Sequence, residues 1–97
     1  MIAGESIQHP WIGVVGQDAP EGVLLDTVIA GSPADRAGLR TGDVIRAITG
    51  MPIESFEHLA QLVDGLEVGQ TVTMGLLREG IAVERMLTLG AWPGRTG

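Results

Sequence analysis

The side chains that first suggest chemistry are three serines, Ser6, Ser32 and Ser55, and two histidines, His9 and His58. A serine hydrolase of the nucleophile-elbow type needs Gly-x-Ser-x-Gly on a sharp turn between strand and helix, and that pattern is absent. Ser32 stands directly before Pro33, and Ser55 directly before an apolar helical run. Both are helix N-cap signals, where a hydroxyl accepts a backbone N–H. The two histidines lack the spacing of a metal pair, and His58 falls on the polar side of its helix beside Glu54 and Glu57. There is no cysteine, which removes thiolate chemistry and disulfides. No catalytic constellation, cofactor site or metal site emerges, and the expectation is a chain with no activity of its own.

Binding chemistry is better represented. Ile12-Gly13-Val14 sets a glycine between two aliphatic residues, and glycine lets successive backbone N–H groups converge on an anion. A peptide carboxylate held there would gain about 1.5–3 kcal/mol from each hydrogen bond. Val14-Val15-Gly16 can then offer a strand edge to an extended peptide. A helix would form the opposite wall. Phe56, Ala60 and Val63 are spaced i, i+4, i+7, and Leu59, Leu62 and Leu66 make an adjoining stripe. Together they form an apolar face wider than so short a helix needs for its core. The leucines are assigned to the core and Phe56, Ala60 and Val63 to a groove; the alternative puts all six in the core. With Trp11 flanking the glycine loop, the candidate binding residues are Trp11, Ile12, Gly13, Val14, Val15, Gly16, Phe56, Ala60 and Val63.

The elements that must position them follow from the punctuation. Pro10 suits a strand entry. Gln17–Glu21 reads as a loop, and Gly22–Ile29 as a strand buried on much of both faces. Residues 28–48 then hold five structural events: strand, Gly-Ser-Pro turn, a short helix over 33–38, a second turn at Gly42, and another strand. Strict alternation over Asp43–Ile48 puts Val44, Arg46 and Ile48 on one face and Ile45 and Ala47 on the other. A longer helix over about 55–66 opens with Ser55, but His58 rather than Glu follows three residues later, so its capping box is incomplete. Two strands, Gln70–Arg78 and Ile81–Leu89, close the chain through a tight Arg78-Glu79-Gly80 connection. The sum is mostly β with two helices (α+β), a five- to six-stranded, partly open barrel or sandwich capped by the helices.

The bulk numbers set limits. Ninety-seven residues make one domain at most. A net charge of −6, with six arginines, no lysine and no basic run, argues against nucleic acid, which needs clustered cations. No apolar run approaches the roughly 20 residues of a membrane span, and the start lacks the basic and apolar regions of a signal peptide. The expectation is a domain of a longer protein, with residues 1–9 a linker, 10–90 the domain and 91–97 a tail.

The pattern of residues 10–89 resembles the PDZ domain of HtrA/Deg-type envelope serine proteases. The matching pieces, in order, are Pro10-Trp-Ile-Gly-Val14, Gly22-Val-Leu-Leu25, Gly31-Ser-Pro-Ala34, Ala37-Gly-Leu39, Gly42-Asp-Val-Ile45 and Val68-Gly69 through Leu77-Arg78-Glu-Gly80. The resemblance implies a PDZ-like fold following a protease domain. It also implies a place in the periplasm or cell envelope, a part in protein quality control, and binding of C-terminal or unfolded hydrophobic peptides. It carries the carboxylate loop onto Trp11–Val14 and the helix wall onto Phe56, Ala60 and Val63. Many relatives insert a longer segment where only Gln17–Glu21 stands here, so a short binding strand is expected. Phe56 is bulky for the helix start. Both features keep open an alternative, an occluded groove serving intramolecular or oligomer contacts.

Overall fold

The computed structural model describes residues 9–92. Its elements run β1 (Pro10–Trp11), β2 (Val14–Ala19), β3 (Gly22–Val28), α1 (Pro33–Arg36), β4 (Val44–Ile48), β5 (Met51–Pro52), α2 (Phe56–Asp64), β6 (Thr71–Arg78), β7 (Ile81–Thr88) and β8 (Gly90–Ala91). The large antiparallel sheet has the order β2-β3-β4-β6-β7, with β5 attached to β4. Its ends, β2 and β7, do not pair, so the sheet is open and the barrel does not close. A two-stranded ribbon, β1-β8, joins the beginning and end of the domain.

The expected loop at Gln17–Glu21 is mostly strand. β2 continues to Ala19 and pairs with β3 along its length, with one register shift between Val15 and Gly16 that leaves Asp26 without a partner, so that only Pro20 and Glu21 turn. Gly22 allows this because a Cβ there would collide with the Ile45 carbonyl. The edge strand is therefore six residues long, not short. At the other hairpin, Glu79 and Gly80 both have positive φ, 55° and 79°, the pair of left-handed residues that a two-residue turn requires.

β4 departs from alternation. The register shifts between Ile45 and Ala47 opposite β6, and Ile45 and Ile48 are both buried while Arg46 points out. A bulge turns two residues three apart toward the same core. That core is aliphatic: Val23, Leu25, Ile45, Ile48, Leu59, Val72, Met74, Leu76, Leu87 and Leu89. Both helices end earlier than their sequence pattern suggests, α1 at Arg36 with Ala37 as cap and α2 at Asp64 with Gly65 as cap.

One charge is buried with the core. Asp43 accepts from Arg78 Nε (3.0 Å) and Nη2 (2.8 Å) and from the Arg40 backbone N–H (2.9 Å). Arg78 Nη2 also donates to the Gly38 carbonyl at 2.7 Å. The pair ties the end of β6 to the turn that follows α1. Burial by itself raises the Asp43 pKa, but the Arg78 and Arg40 hydrogen bonds outweigh it and hold the carboxyl below its usual range.

Candidate functional site

The glycine loop between β1 and β2 is shaped from behind by the 28–48 stretch. Gly13 has φ +86°, and a Cβ there would collide with Ser32 Cβ. The Ile12 carbonyl accepts from Ala34 N at 2.8 Å, and the Gly13 carbonyl from Ile29 N at 2.9 Å. Both carbonyls are thus turned into the body of the domain. No acceptor among the described residues takes the N–H of Ile12 or Gly13. Two free donors beside a left-handed glycine are the parts of an anion nest.

The strand edge follows from the ladder. Ile29 donates to Gly13 across the Val14–Val28 pair, so that pair is of the non-hydrogen-bonded kind. Leu25 donates to the Asp43 carbonyl and accepts from Gly42 N, so its polar groups face away from β2 and its partner Gly16 is left facing outward. Val14 and Gly16 therefore present N–H and C=O along the free edge of the sheet, and Asp18 continues the alternation. Gly16 must be glycine, because a Cβ would lie 2.8 Å from both Leu24 O and Val23 Cγ1.

The opposite wall is α2. Ser55 Oγ accepts the His58 N–H at 3.0 Å, and His58 Nδ1 accepts the Glu54 N–H at 3.2 Å. His58 thereby performs the return half of a capping box, one residue further back than a glutamate would. The first helical N–H, that of Phe56, is taken by Asp18 Oδ1 of β2 at 2.8 Å.

Between the walls lies an apolar cavity of about 160 Å³ lined by Pro10, Trp11, Ile12, Gly13, Val14, Phe56, Leu59, Ala60, Val63 and Asp64. A void near 150 Å³ takes a benzene-sized group, so one aliphatic side chain fits. Phe56 borders this space rather than filling it. Of the residues named from sequence, Trp11, Ile12, Gly13, Val14, Phe56, Ala60 and Val63 meet here. Val15 does not; its side chain is 49% exposed on the other face of β2. Gly16 contributes backbone only. Pro10, Leu59 and Asp64 were missed. Leu59, 1% exposed, belongs to the core and also floors the groove. Its i+3 and i−4 relations to Phe56 and Val63 were the available signal, and the division into two separate stripes hid it. Val63, 6% exposed, likewise serves both.

Ser32 and Ser55 have their hydroxyls on helix N–H groups, and Ser6 lies outside the described residues. Among the described residues no cluster of His, Asp and Glu could hold a metal.

Comparison with known proteins fits this geometry. A family profile described as PDZ domain matches residues 25–78. The chain belongs to the PDZ family. The match begins after the glycine loop. The PDZ chain aligns with an HtrA-type protease, AlgW, solved with a decapeptide. The TM-score is 0.83 and the identity 26%, over 91% of this chain and 31% of that one. It is 42% identical over 88 residues to the periplasmic serine endoprotease DegP of Escherichia coli, covering 91% of this chain and 19% of the relative. It is 34% identical over 103 residues to a probable DegP-like periplasmic serine endoprotease of Ectopseudomonas mendocina, covering 94% and 22%. The chain thus spans about a fifth of the curated relatives it matches.

Proposed function

We propose that this PDZ domain binds extended peptides with a hydrophobic C-terminal residue by adding them as a strand to the β2 edge. The observation that carries this reading is the coincidence of three features: two unpartnered N–H groups at Ile12 and Gly13, a free strand edge, and an apolar cavity between them and α2. The carboxylate sits on the loop, the last side chain enters the cavity over Leu59 and Val63, and the peptide backbone pairs with Val14 and Gly16. The domain itself performs no chemistry. In a longer HtrA-like serine protease it recruits substrates or regulates the protease domain, in a periplasmic setting like that of the named relatives. A relative solved with a decapeptide supports peptide as the ligand class, and the open cavity beside Phe56 weighs against the occluded-groove alternative.

The test is a titration with one peptide ending in valine, as free acid and as C-terminal amide, followed through Trp11 fluorescence or calorimetry. The free acid is expected to bind at least about tenfold tighter, from one or two charge-assisted bonds. Equal affinities would remove the carboxylate from the reading.

A further inference from the structure

Asp18 lies where a bound strand would have to pass. It shares one face of β2 with Val14 and Gly16, four and two residues back, and that face is turned toward α2. From there its Oδ1 accepts the Phe56 N–H at 2.8 Å. The bond joins the two walls of the groove through residues remote in sequence, and it is exposed to solvent. A strand rises about 3.3 Å per residue, so Val14 to Asp18 measures about 13 Å. A peptide antiparallel to β2, with its last residue beside Gly13 and Val14, brings its fourth or fifth residue from the end to this crossbar.

We infer that Asp18 bars the far end of the groove, making it a slot for about four residues, and that longer peptides continue only by displacing its carboxylate from the helix. The inference rests on the strand-addition reading above. The bar is held by two forces. An N–H at the first turn of a helix has no partner within the helix, and a carboxylate is favoured at that end by the aligned peptide dipoles. Removal of the bar frees both the outward main chain of Asp18 and the Phe56 N–H, which a peptide carbonyl can then take. The full sheet edge of six residues is therefore longer than the part open to a ligand. Asp18, which lines none of the cavity, sets how much of a ligand is read.

The experiment compares two N-acetylated free-acid peptides, of four and eight residues, sharing their last four residues and uncharged upstream. Each is titrated into the wild-type chain, Asp18→Ala and Asp18→Asn. Asp18→Ala is expected to raise the long-to-short affinity ratio about three- to tenfold, the worth of an exposed charge-assisted bond. Asp18→Asn keeps an acceptor without the charge and is expected to fall between. An unchanged ratio in both variants overturns the inference, and so does an equal loss for both peptides, which would make Asp18 a positioner of α2 and no more. Absence of binding by either peptide to all three proteins refutes the strand-addition reading itself, and the inference falls with it.

Discussion

Gly13→Ala separates the two properties that the loop combines, its left-handed backbone and its contact with Ser32. At φ +86° an alanine meets the left-handed penalty of about 1–2 kcal/mol. Its Cβ also collides with Ser32 Cβ, and Ser32 Oγ lies 2.6 Å away. The obstructing carbon is fixed to the backbone of the α1 cap and cannot swing aside, so overpacking adds about 1–3 kcal/mol. The single variant should lose about 2–5 kcal/mol by urea unfolding. Ser32→Gly removes both obstructing atoms, and glycine is a tolerable N-cap, costing a few tenths of a kcal/mol. In the double variant the collision vanishes and the backbone penalty stays. The two substitutions should therefore be non-additive by about 1–3 kcal/mol in the direction of rescue. Rescue should not extend to function, because the strained φ still rotates the free N–H groups: the free-acid preference should shrink in both Gly13 variants. Additivity within about 0.5 kcal/mol would show that the contact with Ser32 does not shape the loop.

Two further substitutions probe the wall and the scaffold. Ala60→Glu places a carboxylate at the exposed rim of the cavity beside the expected anion; peptide binding should be lost while the thermal transition remains cooperative, and retained binding would move the groove elsewhere. Asp43→Asn should destabilise the domain by about 1–3 kcal/mol at neutral pH, through the loss of charge-assisted bonds to Arg78. The Asp43 pKa is lowered on folding from 3.8, so its stabilisation is complete above that value and is lost as pH falls through the folded pKa. The gap between wild type and variant should therefore begin to narrow below about pH 4 and close only below the folded pKa, measured by unfolding across a pH series, and a gap that persists to strong acid would refute the assignment.

The fold was legible where local chemistry decides it. Ser32-Pro33 and Ser55 start their helices as caps must, and Glu79-Gly80 makes its turn because two left-handed residues are available. What escaped reading depended on partners remote in sequence. Asp18 and Pro20 look like loop residues, yet β2 runs to Ala19 because β3 opposite it supplies a register. Ile45 and Ile48 violate alternation because β6 imposes a bulge. Leu59 could be placed in the core from its helical stripe, but its second role as groove floor depends on how closely the loop approaches α2. Val15 differs: alternation alone places its side chain on the face opposite Val14, a local signal independent of any remote partner.

The 28–48 stretch contributes no lining residue to the groove, and its caps look purely structural in sequence. The hydrogen bonds give it a larger part. Ala34 N and Ile29 N hold the carbonyls of Ile12 and Gly13, and Ser32 Oγ lies 3.4 Å from the Gly13 carbonyl while also accepting from Asp35 N at 3.2 Å. A peptide plane with its carbonyl fixed on one side has its N–H fixed on the other. The same residues that start α1 thus orient the main chain of the loop, and the direction of the free Gly13 donor, which shares a peptide plane with the Ile12 carbonyl held by Ala34 N, is a consequence of helix capping. Substitutions in α1 that shift its first turn should accordingly alter carboxylate recognition without touching any residue of the cavity.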